Sequence, residues 1–191
     1  MKIAILGWGS LVWNPENLEI DKTQGQNGWF PDGPMLPVEF ARISKGPRLT
    51  LVIRPESELV QTLYAISTKD NLHQAILNLS KRENCKIESI GYFDRTENSF
   101  SNPNFQFIRN IIDWIEVKNE IEAVIWTDLP ENFQEKTGNS LNEENAISYI
   151  NGLLLAEQAA AESYIRRAPA IINSPIRRAF ERELGWNRFN T

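Results

Sequence analysis

Two stretches of the chain carry residue types that can do chemistry. The first is Gly7-Trp8-Gly9-Ser10, which cuts off the apolar run Ile3-Ala4-Ile5-Leu6 and leads into Leu11-Val12-Trp13 before Asn14-Pro15. Glycines permit close backbone approach, and successive N–H groups beside the Ser10 hydroxyl can bind a carboxylate. The competing reading is a tight turn that only closes a corner of a sheet. Three nucleotide or nucleophile motifs fail here. A dinucleotide fingerprint needs a third glycine opening a helix, where this chain has Val12 and then a block at Pro15. A P-loop needs Gly-Lys-Ser/Thr, and a nucleophile elbow needs glycine two residues either side of Ser10, where Trp8 and Val12 stand.

The second stretch ends in an acid. At about 100° per residue, Leu72, Ile76 and Leu79 form one apolar helix stripe, and Glu83 continues it. A carboxyl facing a core loses hydration, which raises its pKa toward the range a general acid/base needs near neutral pH. The alternative is a helix that frays by Arg82, leaving Glu83 in water or paired with Lys81 or Lys86. Tyr64 precedes this helix on a strand-like run and is either a pocket hydroxyl or a half-buried aromatic. His73 lies about 90° off the stripe and reads as a surface residue. One His and one Cys cannot build a His/Cys metal site, and the carboxylates show no ligand spacing, so neither metal nor cofactor is expected.

Elements must position these groups. Strand patterns cover 2–6, 38–44, 48–54, 59–67, 86–93 and 121–127. The short connectors 45–47 and 55–58 favour antiparallel hairpins. Helices are expected over 70–83, 105–117, from a Ser140/Glu143 capping box to 167, and from Ser174-Pro175 to Leu184 before Gly185. The segment 14–37 reads as a long loop whose Trp29 and Phe30 could form a lid or an oligomer contact. This order predicts an α+β fold: a small mixed, mainly antiparallel β-barrel with flanking helices and extra C-terminal helices.

Composition bounds the rest. At 191 residues one hydrophobic core suffices, so a single domain over 1–191 is expected, with a core at 1–127 and a helical extension at 140–191. A net charge of −5 argues against a nucleic-acid binder. The arginines 166, 167, 177, 178, 182 and 188 read mostly as solvated helix faces, with an acidic partner as the other reading. No apolar segment approaches the roughly 18 residues that span a bilayer. With Cys85 the only cysteine, a cytoplasmic location follows as the expectation.

The run Gly7-Trp8-Gly9-Ser10-Leu11-Val12-Trp13-Asn14-Pro15 resembles the opening motif of the γ-glutamylcyclotransferase-like superfamily, most closely its glutathione-degrading ChaC-like branch. Arg48 to Val52, Leu63 to Ile66 and Leu79 to Glu83 resemble that family's later strands and its helix ending in the catalytic glutamate. The resemblance covers about residues 1–127 and implies that Glu83 is the acid/base. It further implies that Gly7, Trp8, Gly9, Ser10, Leu11 and Tyr64 line the site of a small γ-glutamyl substrate. The implied reaction forms 5-oxoproline and releases an amine: a cysteinyl peptide as in glutathione, an amino acid or a polyamine-like group. Trp8 replaces the family's usual Tyr, Ser80 its Asp, and Asn84 stands where Gly is common. Loss of the Tyr hydroxyl leaves a second reading, a non-catalytic γ-glutamyl or small-carboxylate binder of the same fold.

Overall fold

The N-terminal apolar run forms strand β1 (Ile3–Gly7), buried along its whole length. One helical turn, α1 (Ser10–Trp13), follows Gly9. The long segment beyond it holds two short strands, β2 (Trp29–Phe30) and β3 (Met35–Leu36). Four more follow: β4 (Val38–Ile43), β5 (Leu49–Ile53), β6 (Val60–Gln61) and β7 (Leu63–Ile66). Helix α2 (Leu72–Glu83) leads through a 3₁₀ turn at Ile87–Ser89 to β8 (Ile90–Asp94) and β9 (Ser99–Phe100). Helix α3 (Ile108–Val117) and strand β10 (Ala123–Thr127) come next. The chain then runs through α4 (Phe133–Thr137), α5 (Glu143–Asn151), α6 (Leu155–Arg167) and α7 (Pro175–Leu184). This computed structural model describes residues 1–102 and 105–189. Among the described residues no helix is long and apolar enough to cross a membrane.

The chain divides into two compact units. The first holds residues 1–36 and 61–129. Its six-stranded sheet has the order β2-β7-β1-β10-β8-β9. Only β1 and β10 run parallel, with Ile5 level with Ile125; β7, β2, β8 and β9 join antiparallel. The α+β class is therefore as expected and the sheet mainly antiparallel, but it is open, ending in β2 and β9, and does not close into a barrel. The expected run of consecutive hairpins fails at one point. β4 pairs with β5, whereas β7 turns away to pair with β1 and β2, so the strands never form one continuous curved sheet.

Both faces of this sheet are covered, and two glycines make that possible. The indole of Trp29 lies over Gly7: a Cβ there would sit 2.6 Å from Cη2 of Trp29. Trp126 likewise lies over its register partner Gly91, where a Cβ would sit 2.6 Å from its Cζ2. Side chains alternate between faces along a strand, so the register puts Trp29 over one face and Trp126 over the other. Trp29 is thus core, 2% exposed, rather than part of a lid or an oligomer contact.

The second unit holds residues 37–60 and 130–191. Its β4–β5 hairpin has an irregularity between Phe40 and Arg42 and packs against α4, α6 and α7. Glu39 is 1% exposed and caps α7: its carboxylate accepts from Ile176 N at 3.1 Å, Phe40 N at 2.8 Å and the Ser174 hydroxyl. Burial pushes its pKa up despite these bonds. The helix expected from 140 to 167 is two helices, broken at Gly152 and starting after Asn142, whose side chain accepts from Asn145 N at 2.8 Å. Asn142 outcompetes Ser140 as cap because its carbonyl oxygen reaches the third amide of the helix.

The glycine–indole packing generates a stability expectation. Gly7→Ala should destabilise the protein by about 1–3 kcal/mol, because the Trp29 ring must leave its place. Urea denaturation with an unchanged m-value measures this.

Candidate functional site

The acid in question sits at the last residue of α2, and the sequence around it explains why the helix lasts that long. Asn71 caps the start, its side chain accepting from Gln74 N at 3.1 Å. Asn84 ends the helix in the left-handed region at φ 48, which Asn tolerates better than most residues. Cys85 N then bonds Ser80 O at 3.1 Å. The helix therefore does not fray at Arg82. Ile76 and Leu79 are buried on the expected stripe, and the Glu83 side chain at its end is only 19% exposed.

Glu83 meets the glycine turn through one cation. The Arg82 guanidinium is 8% exposed and uses three nitrogens. Nη1 donates to Glu83 Oε1 at 3.0 Å. Nη2 donates to Ser10 Oγ at 3.2 Å and to Asn14 O at 2.7 Å, and Nε also reaches Asn14 O at 3.2 Å. One turn earlier on α2, Asn78 holds the same segment: its amide donates to Asn17 O at 2.9 Å and its oxygen accepts from Glu19 N at 2.9 Å. The i, i+4 pair Asn78 and Arg82 thus presents one polar helix face to residues 10–19. A surface groove of about 410 Å³ runs beside it, lined by Glu16, Glu19, Lys69, Lys81 and Arg82 among others but not by Glu83 or Ser10.

Burial holds the Glu83 carboxyl above its ordinary pKa; Arg82 opposes this shift and the charge of Glu16 adds to it. Desolvation is the largest of these influences, so the net shift is upward. The Cys85 thiol is pushed up by burial and by Glu83, the reverse of what a nucleophile needs. His73 is exposed.

The other expected site residues fall into two groups. Gly7, Trp8, Gly9 and Leu11 are buried, with Ser10 partly open. Gly9 O accepts from Val12 N at 3.0 Å and Ser10 O from Asn14 N at 2.8 Å, making the α1 turn. The first amides of such a turn have no partner within it. Gly7, by contrast, lacks a side chain because Trp29 occupies that space. Tyr64 belongs to a different neighbourhood. Its ring stacks on Phe30 at 4.8 Å and meets Trp114 edge-on at 4.9 Å, with Lys118 Nζ 5.3 Å away, on the face opposite the one Trp29 covers. Burial raises its pKa, and the Lys118 hydrogen bond opposes that.

The reach of Arg82 to Ser10 and the burial of Trp29 over Gly7 are what the sequence reading missed. A basic residue in a last helical turn reads as a dipole partner, which hides its reach to Ser10 and Asn14. The C-terminal arginines are largely neutralised within their own unit: Arg178 on Glu58, Arg182 on Glu143 and Glu183, Arg188 on Glu181, and Arg166 on Glu162. Arg177 is buried on the carbonyls of Ala168, Pro169 and Ile172. Among the described residues, no group of three His, Cys, Asp or Glu side chains is arranged to hold a metal ion. Comparison with protein-family models, with curated proteins and with solved structures finds no match to this chain.

Replacing Arg82 by Met should leave Glu83 sequestered without its counter-charge, raising its pKa further and costing about 3 kcal/mol. Carboxyl-carbon NMR titration of Glu83 reads the first effect and denaturant unfolding the second. The sign for stability follows from the raised folded value. Native Glu83 keeps its proton where the unfolded chain has lost it, so its contribution to stability falls as pH rises through the raised pKa.

Proposed function

We propose that this protein is a γ-glutamylcyclotransferase-like enzyme with Glu83 as general acid/base. The observation that carries the reading is the half-sequestered Glu83 carboxyl, its pKa raised by burial, joined through the single guanidinium of Arg82 to Ser10 at the glycine turn. The resemblance of Gly7 to Pro15 supplies the substrate class.

In this reading the first amides of the α1 turn and Arg82 attract the α-carboxylate of a γ-glutamyl compound. Glu83, ionised, accepts a proton from the substrate's α-ammonium. The freed amine attacks its own γ-carbonyl carbon, forming the new ring C–N bond and a tetrahedral oxyanion. Collapse breaks the bond to the leaving nitrogen, which takes the first proton back from Glu83; the carboxylate then accepts the second proton of the ring nitrogen and hands it to the departing amine, so that 5-oxoproline and an ammonium depart. Attack within one molecule needs positioning more than a strong nucleophile, since well-oriented internal reactions gain about 7–11 kcal/mol. Burial moves the Glu83 pKa upward, the direction that a group exchanging protons near neutral pH requires.

The Arg82–Glu83 ion pair favours a second reading, in which the site only binds a small carboxylate. An acid already paired with a cation is a weaker base, and Trp8 adds no hydroxyl to the turn. Release of 5-oxoproline from a panel of γ-glutamyl peptides, amino acids and amines separates the two. Wild type should turn over at least one of them, and Glu83→Gln should lower kcat by about 10²–10⁴-fold. Tight binding without product in wild type selects the binding reading, and full turnover by Glu83→Gln removes the assigned role.

A further inference from the structure

The second unit carries a pocket that plays no part in the site above. It holds about 240 Å³ where α4, the turn after it and α5 meet, and is lined by Phe133, Thr137, Asn139, Asn145, Ser148 and Tyr149 among others. Phe133 is 1% exposed and its ring and that of Tyr149 pack as a T at 5.7 Å. The Tyr149 hydroxyl donates to Pro47 O at 2.9 Å, so the aromatic part of the wall is fixed at both ends. On α5, Asn145, Ser148 and Tyr149 stand three and four residues apart and share one helix face, which Gly152 continues.

None of the residues lining this pocket is charged, in a unit whose surface is otherwise rich in ion pairs such as Arg178 with Glu58 and Arg182 with Glu143. Its polar groups are neutral and largely uncommitted. Asn145 gives its amide to Ser140 O at 2.8 Å, which leaves Oδ1 to accept. The Asn139 amide reaches Thr137 O only at 3.4 Å, beyond the ordinary N–H···O range. Among the described residues Ser148 Oγ has no hydrogen-bond partner, and it can donate or accept. Gly152 is the remaining clue. Its backbone is right-handed at φ −80, and within 4 Å a Cβ would meet only Ser148 O and Tyr149 O, both at 3.5 Å. Neither conformation nor packing asks for glycine there; what the missing side chain gives is room beside the pocket's own residues.

We propose that this pocket binds one neutral sugar or cyclitol ring through its vicinal hydroxyls. The volume lies just below the roughly 300–1,000 Å³ of drug-sized ligand sites, so one ring fits rather than two. The wall offers acceptors and donors side by side, which asks for a ligand that donates and accepts from adjacent atoms, as a diol does. A carboxylate or phosphate only accepts and an ammonium only donates, and either would lose hydration with no opposite charge on the wall to meet it. Helices α4 and α5 also end at the pocket, and the partial negative charge of helix carboxyl ends disfavours an anion. A nucleobase has neutral donors and acceptors too, but it needs an open ring face to stack on, and Phe133 is buried. The C–H groups of a sugar need only apolar contact, which Tyr149 and Leu153 supply.

The test titrates the ¹⁵N-labelled chain with methyl glucoside, methyl galactoside and myo-inositol, and with glucuronate, glucosamine and adenosine as controls. The readout is the side-chain amide signals of Asn139 and Asn145, assigned by their loss in Asn139→Ser and Asn145→Ser. The expected result is a saturable shift of both signals with at least one neutral ring, at lower concentration than with any control. Ser148→Ala should weaken that binding about two- to tenfold with the melting temperature unchanged. Gly152→Leu, at a backbone geometry open to any residue, should occupy the space and abolish binding while the protein stays folded. No saturable shift with any of the three neutral rings, equal or tighter binding of a control, or shifts that both variants leave intact overturns the proposal. Each outcome reads the same whether or not Glu83 is catalytic, because the pocket and that acid belong to different units.

Discussion

One guanidinium organises the candidate site. Arg82 spends its donors on three oxygens from three places: the Glu83 carboxylate beside it, the Ser10 hydroxyl and the Asn14 carbonyl. Each bond alone is an ordinary charge-assisted contact. Together they give the end of α2 and the one-turn helix after the glycines a shared partner, and Asn78 repeats the attachment a turn earlier. Arginine suits the task because its planar fork holds several acceptors at fixed angles, which the point charge of lysine does not.

The same cation sets the electrostatics. A carboxyl this far out of water would become neutral if nothing opposed desolvation, and a permanent acid cannot accept a proton. Arg82 pulls in the opposite direction, and burial still prevails. An acid/base role for Glu83, as proposed, would draw on this opposition of burial and charge. Glu39 is the instructive contrast. It is more deeply buried and also raised, but three donors and the start of α7 saturate it, so its work is to join β4 to that helix.

Close packing around two glycines is the second constraint. Trp29 and Trp126 each lie over a glycine, on opposite faces of one sheet. A ring laid on bare backbone brings a large apolar area against the sheet without lifting the layer above it.

Local signals in the chain sufficed for several features. The 3.6-residue period put Glu83 on the buried stripe of α2, Gly185 marked a helix end, and Ser174-Pro175 marked the start of α7. These depend on neighbours within a turn or two, so spacing alone reveals them. The α+β class was also legible, because it depends only on which elements occur. Strand partnership was not. The short connectors made a continuous hairpin series plausible, yet β7 chose β1 and left the sheet open rather than closed into a barrel. Pairing is decided by which distant apolar faces bury each other, and that choice leaves no mark in the local pattern. The reach of Arg82 to Ser10, 72 positions away, and the seat of Trp29 on Gly7 belong to the same class. The acid and the turn could be named from the chain alone, but their meeting exists only once the sheet has brought the two segments together.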